Sequence, residues 1–344
     1  MQILWGLPET EFVMPSALAI GNFDGVHRGH QALIEQMQAT AAGRGWRVGV
    51  LTFYPHPAMV LHPQRPFAVL TTLEERLALL AMFHLDFALV HPFSLETAHT
   101  PARDFVTALV RRLRLRQLWV GPDFALGHNR KGDVPMLQEL GQEIGFSVWV
   151  IEPVRVAGME ARSGVVRQLL LMGQVEKAAV LLGRPYRLPG IVVSGDKRGQ
   201  ALGFPTVNLS LAVPRVVPAD GVYVVWAELA GQMHPAVCNI GVRPTVNGRE
   251  RTVEAHLLDF DGDLYESQVA LHFVSRLRDE IRFPNVEALK KQIAQDVRQA
   301  RSLLAITDPP QPLTLMTPEK ALFQPSTCPV EYPFHRACLD SARV

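Results

Sequence analysis

Gly21-Asn22-Phe23-Asp24-Gly25-Val26-His27-Arg28-Gly29-His30 is a glycine-rich turn set between two regular elements. Before it, Ala17 to Ile20 make a short apolar run; after it, Leu33, Ile34, Met37 and Ala41 recur at helical spacing. The spacing predicts a strand, a tight turn and a helix. Gly21, Gly25 and Gly29 let backbone approach a ligand closely, and the unpaired N–H groups that open a helix favour an anion by about 0.3–1 kcal/mol. His27 and His30, three apart at the helix entrance, can face one anion and donate to oxygens that gain charge during transfer. This is the pattern of a phosphate site, with Asn22, Phe23 and Asp24 in its turn.

Beyond the turn, apolar strands are expected at Val48 to Phe53, Phe87 to Val90, Leu118 to Val120 and Ser147 to Ile151, separated by helices over Leu73 to Phe83 and Asp104 to Leu113 and one before Ser147. Strands alternating with helices imply a mainly parallel, Rossmann-like α/β sheet with ligands beyond the C-terminal strand ends. Three unusual loops fall on that edge: the opening turn, Tyr54-Pro55-His56-Pro57, and Gly121 to Asp133 with Asp123 and Arg130. The basic cluster Arg111, Arg112, Arg114 and Arg116 suits a helix C-terminus and receives no further role.

From Leu188 the texture changes. Six short runs (Gly190 to Val193, Thr206 to Leu209, Val222 to Leu229, Ala236 to Ile240, Val253 to Phe260, Gln268 to Phe273) without intervening helices imply a small antiparallel β-barrel. A C-terminal helix with Val286, Leu289, Ile293 and Val297 is expected across one end. The loop with Gly195, Lys197, Gly199 and Gly203 can wrap phosphates with backbone N–H groups before Pro205 and Thr206. Thr206 and Asn208, two apart, share a strand face and offer two oxygens of the kind Mg²⁺ accepts beside nucleotide phosphates. Glu254 is a candidate general base, with His256 on the same face as its rival. The expected organisation is 1–155, a connector of short helices over 156–186, the barrel over 187–305, and a tail over 306–344. Seven of the 26 prolines fall between Pro309 and Pro333.

At 48% hydrophobic and 19% charged, 344 residues suffice for two cores, and a net charge of +1 argues for nucleotides rather than nucleic acid. Cys238, Cys328 and Cys338 have neither disulfide nor zinc spacing, as expected in a reducing cytoplasm. No membrane segment or metal cage is expected.

Together these motifs resemble, from about Ala17 to Arg301, the bacterial bifunctional riboflavin kinase/FAD synthetase family. The opening turn matches its nucleotidyltransferase signature. Gly195 to Asn208 matches its kinase signature, as do Asn239 to Thr245, Val253 to Phe260 and Leu277 to Glu280. The resemblance implies ATP and Mg²⁺ as the groups used, with riboflavin, FMN and FAD as further ligands. It implies flavin contacts at Pro55, His56, Pro57 and Arg278, nucleotide contacts at Asp123 and Arg130, and catalytic roles for His27, His30 and Glu254. Ser163 and Arg167 match two members of a phosphate-holding Ser-Ser-Thr-x-Ile-Arg segment, but Arg162 and Gly164 replace a serine and the threonine. An alternative therefore stays open, a riboflavin kinase whose N-terminal domain only binds nucleotide or flavin.

Overall fold

The computed structural model describes residues 1–193, 204–211, 213–245 and 248–316. Two compact units emerge, one built on Met1–Arg155 and one on Val156–Thr314.

The first unit is a six-stranded parallel sheet in the order β1 (Gln2–Trp5), β4 (Phe87–Pro92), β3 (Arg47–Tyr54), β2 (Ser16–Ile20), β5 (Leu115–Val120), β8 (Ser147–Val150). Every residue of β2 is buried, as a central parallel strand covered on both faces requires. Helix α1 (Arg28–Ala41) buries Leu33, Ile34, Met37 and Ala41, the four positions its spacing predicts, each such burial contributing about 1.5–3 kcal/mol for the larger side chains. Chain order runs from β2 outward to β3 and β4, then returns to the other side of β2 at β5. The turn after β2 and the loop after β5 therefore flank a topological switch point, where open α/β sheets leave a crevice. Helix α5 (Ala102–Leu113) ends in the expected basic cluster, which ties down the N-terminal approach: Arg112 bonds the Glu9 carbonyl and Arg114 the Val13 carbonyl.

The second unit is a closed antiparallel barrel of β11 (Tyr186–Val193), β12 (Val207–Ser210), β15 (Gly248–Leu257), β14 (Gln232–Thr245), β13 (Gly221–Leu229) and β16 (Gln268–Arg278), in that order. Inward side chains such as Tyr223, Cys238, Ala255 and Phe273 are fully buried. Burial pushes the Cys238 thiol far up, with the nearby Glu254 carboxylate adding to the effect, so it packs as an inert apolar group. Helices α7 (Ser163–Leu171) and α8 (Val175–Leu182), expected as a connector, join the barrel directly. Ala219 N–H donates to Leu170 O at 3.0 Å, and the Glu176 carboxylate accepts from Ser275 Oγ and Arg276 N–H at 2.8 Å.

The last helix, α9 (Val286–Leu304), lies along the outer wall of β13 and β14 rather than across an end. Ala300 and Leu304 pack on Val224, Trp226 and Val237, whereas Val286 stays 57% exposed. Its C-terminal half supplies the apolar contact, and the buried Asp296 anchors the middle through Arg278.

One buried charge cluster closes the wall. Glu228 on β13 accepts from Arg187 on β11 and His272 on β16, both at 2.9 Å. Burial raises its pKa, but the bonds and charges of His272 and Arg187 outweigh this and hold it near about 2. Because the folded value lies below that of the unfolded chain, this stability is present above about pH 4.5 and lost as pH falls toward 2. Glu228→Gln should flatten the acid side of the Tm–pH curve relative to the wild type.

Candidate active sites

In the first unit, His27 is the N-cap of α1, its Nδ1 accepting from His30 N–H at 3.4 Å. With Nδ1 accepting, Nε2 is the ring nitrogen that carries a proton and can donate. The two imidazoles stack with centroids 3.6 Å apart, and His30 also lies beside Phe23 at 5.0 Å. Burial lowers the His30 pKa well below 6.5, helped by the neighbouring His27 and Arg76, so His30 is neutral at pH 7. Its buried Nδ1 has no hydrogen-bond partner among the described residues. The helix mouth thus offers two imidazoles and its own first N–H groups, a donor set suited to developing negative charge.

Two members of the turn do something else. Asp24 is 1% exposed and aims inward: its carboxylate accepts from Leu70 N–H (3.0 and 3.1 Å), Thr71 N–H (3.0 Å) and Thr71 Oγ1 (3.2 Å). Phe23 is likewise wholly buried. The Asp24 carboxylate thereby clamps the turn, expected from the sequence as a phosphate site, to the segment before α3 (Leu73–Ala81). Gly25 has φ +86°, and its N–H donates to Thr71 Oγ1 at 3.0 Å, completing the clamp. Asp24→Asn turns an amide N–H₂ toward these donors and should cost about 1–3 kcal/mol, read as a lower calorimetric midpoint of this unit.

Arg76 is the residue that sequence reasoning passed over. It is buried on α3, and its guanidinium donates to Thr52 Oγ1 (2.9 Å) and Phe53 O (3.2 Å); Thr52 Oγ1 in turn donates to Asn22 O (3.0 Å). A cation so placed supports the turn and disfavours protonation of His30. Its only sequence signal is an arginine within an otherwise apolar helical stripe.

His56 caps the short helix α2 (Pro57–Leu61): its Nδ1 accepts from Ala58 N–H at 3.2 Å, its ring stacks on Phe67 at 4.4 Å, and Pro57 begins the helix. Pro55 precedes it at the end of the β3 turn. The loop after β5 folds as a small hairpin, β6 (Ala125–Leu126) with β7 (Gly132–Asp133), in which Arg130 donates to Asp123 O at 3.0 Å. Gly127 has φ +73°, and a Cβ there would lie 2.6 Å from Ala102 N, so the hairpin sits hard against the start of α5.

In the second unit, Ser163 opens α7 and Arg167 lies one turn on. Arg162 occupies the N-cap position, its Nε 2.5 Å from Glu160 Oε1. Gly195, Lys197, Gly199 and Gly203 lie outside the described residues. Asn208 on β12 is directly opposite Glu254 on β15 in the ladder, so both side chains stand side by side on the outer face, with Thr206 two residues before Asn208. The rival His256 has its Nδ1 2.7 Å from Pro205 O, an acceptor that keeps the proton on that nitrogen and ties the ring to the strand entrance. Arg278 is held by Asp296 of α9, with Nη2 to Oδ2 at 2.8 Å, and by a bond from Nη1 to Asp279 O.

Sequence comparison matches residues 10–164 to the FAD synthetase model and residues 182–304 to the riboflavin kinase model. A curated Escherichia coli K12 protein, bifunctional riboflavin kinase/FMN adenylyltransferase, is 40% identical over 294 residues, 85% of this chain and 94% of its own length. The chain belongs to the bifunctional riboflavin kinase/FMN adenylyltransferase family. Another member, from Bacillus subtilis, is 34% identical over 83% of this chain and 91% of its own. A solved chain from Streptococcus pneumoniae, titled a macrolide-efflux protein, superposes with a TM-score of 0.80 at 29% identity, covering 88% of this chain and 99% of that one. No helix among the described residues is long and apolar enough to cross a membrane. Within the family frame, the helix mouth with His27 and His30 belongs to the FAD synthetase half, and the Asn208–Glu254 pair to the riboflavin kinase half.

Proposed function

We propose that this chain converts riboflavin to FMN and FMN to FAD. In the barrel, the 5′-hydroxyl of riboflavin attacks the γ-phosphorus of ATP while Glu254 takes its proton, yielding FMN and ADP. The observation that carries this is the ladder pairing of Glu254 with Asn208, which sets a carboxylate beside the strand entered from the glycine-rich loop. Thr206 and Asn208 offer neutral oxygens, a donor set that fits Mg²⁺ shared with nucleotide phosphates. Bound there, the ion would neutralise phosphate charge. Arg278, fixed by Asp296, is proposed to contact the flavin.

In the N-terminal unit, a phosphate oxygen of FMN attacks the α-phosphorus of a second ATP and pyrophosphate departs, so no side-chain nucleophile is required. His27 and His30 donate to the oxygens that gain charge, and Gly21, Asn22, Gly25 and Gly29 shape the cradle. Pro55, His56 and Pro57 are assigned to the flavin, and Asp123 and Arg130 to the nucleotide. A cytoplasmic site of action suits its ATP demand.

One observation favours a second reading, a kinase with a silent N-terminal unit: Arg162, standing where the family has serine, pairs with Glu160. Riboflavin, excess ATP and Mg²⁺ with the purified chain, followed by chromatography, decide between them. FMN that converts to FAD is expected. FMN accumulating without FAD supports the second reading, and no flavin product overturns both.

A further inference from the structure

The rung that pairs Asn208 with Glu254 continues one strand further. On the opposite side of β15, Glu254 is in direct register with Asn239 of β14, and Asn239 with Val222 of β13, which is paired with Arg278 of β16. Register partners in an antiparallel ladder present their side chains to the same face, with Cβ atoms about 4.5–5.5 Å apart. The outer wall thus reads Asn208, Glu254, Asn239, Val222, Arg278. Burial supports the facing: Cys238 and Ile240, flanking Asn239, are wholly buried in the barrel, whereas Asn239 and Glu254 are partly exposed.

Position along this row has chemical meaning. Asn208 lies on the strand that leaves the glycine-rich loop, the phosphate side. Arg278 is on the far side, fixed to α9. Asn239 stands between the base and that far side. Two residues along β14, Gly241 shares its face, and a Cβ there would collide with the Glu280 carboxylate, so Glu280 reaches over this end of the row. An amide, with two donors and an acceptor, flanked by two carboxylates is a set that recognises adjacent hydroxyl groups. An apolar chain placed there would leave those groups without partners.

Building on the kinase reading, we propose that Asn239 is a specificity-determining residue that binds the secondary hydroxyls of the acceptor's polyol chain and so delivers its terminal hydroxyl to Glu254. Asn208 and Asn239 then divide the work on either side of the base: one faces the donor phosphate, the other the acceptor alcohol.

The test compares riboflavin with a flavin bearing a 5-hydroxypentyl chain at N10, which keeps the terminal hydroxyl and lacks the secondary ones. Wild-type protein should prefer riboflavin in kcat/KM by at least about 100-fold, since a polar site rejects an analogue that leaves its groups unpaired. Asn239→Ala should cut that preference at least about tenfold, chiefly by raising the KM for riboflavin, with the KM for ATP unchanged. Asn239→Asp, which keeps an acceptor and isosteric packing, should retain more of the preference than Ala. A wild-type-like Tm of the barrel unit, and a kcat/KM for the hydroxypentyl analogue close to that of the wild type, report that the barrel of each variant is folded. An unchanged preference in a folded Asn239→Ala protein, or a loss confined to the KM for ATP, overturns the proposal. Absence of riboflavin phosphorylation by the wild type would instead overturn the kinase reading beneath it.

Discussion

Glu254→Gln is expected to lower kcat for FMN formation by about 10²–10⁴, the range supplied by a positioned general base, while leaving FAD formation from supplied FMN at the wild-type rate. Glutamine keeps the length and the hydrogen-bonding oxygen of the side chain and removes only its capacity to take a proton. The ladder around it holds, because the pairing of β15 with β12 and β14 is made by backbone. His256 provides the internal comparison. Its Nδ1 is engaged by the Pro205 carbonyl, so His256→Gln should disturb the strand entrance and raise the KM for ATP more than it lowers kcat. Rapid-quench measurement of the phosphoryl-transfer step separates these effects from product release. A wild-type rate in Glu254→Gln would exclude it as the base.

The second large effect is expected in the other unit. Removing a transition-state donor costs about 10²–10³ in rate, and His27→Asn isolates that loss. Asparagine is a strong N-cap, so its side-chain oxygen can take over the bond from His30 N–H while the Nε2 donor disappears. FAD synthesis should fall by that factor with Tm nearly unchanged and FMN synthesis intact. His30→Ala should abolish FAD synthesis too, but with a loss of stability, because removing a ring that stacks on His27 and packs at a tilt against Phe23 leaves a gap. Equal damage to both reactions would contradict separate sites.

The pH dependence follows from the same ring. The folded protein holds the His30 pKa below 6.5, so its contribution to stability is complete above that pH and declines as pH falls through 6.5 and protonation favours the unfolded chain. Relative to His30→Ala, wild-type Tm should therefore lose its advantage progressively below pH 6.5.

Much of the architecture was legible in the residues. The turn from Gly21 to His30 gave strand, turn and helix, and the four apolar positions of α1 are the four that are buried. The change to short, glycine-punctuated runs after Leu188 announced the barrel, because period-2 patterning without helices leaves few architectures. Strand β1 was not legible: four terminal residues carry no measurable period, and it exists through its pairing with β4. The docking place of α9, expected across one end of the barrel, is instead the outer wall of β13 and β14. Periodicity counts apolar residues, whereas Asp296 is buried because Arg278 neutralises it across the packed wall.

The sequence by itself determined the two units, their order and the chemistry-bearing motifs, since local spacing and turn residues suffice for these. Only the tertiary structure decided which of the site residues stand together and which bonds hold them. Asp24 sits in the turn but faces inward, because Leu70 and Thr71, 46 and 47 residues along the chain, supply the donors that fix its carboxylate. Arg76 reaches the same turn from another helix. Asn208, Glu254 and Asn239 come from three strands and become one row through register, which depends on how the barrel closes rather than on any local stretch of residues.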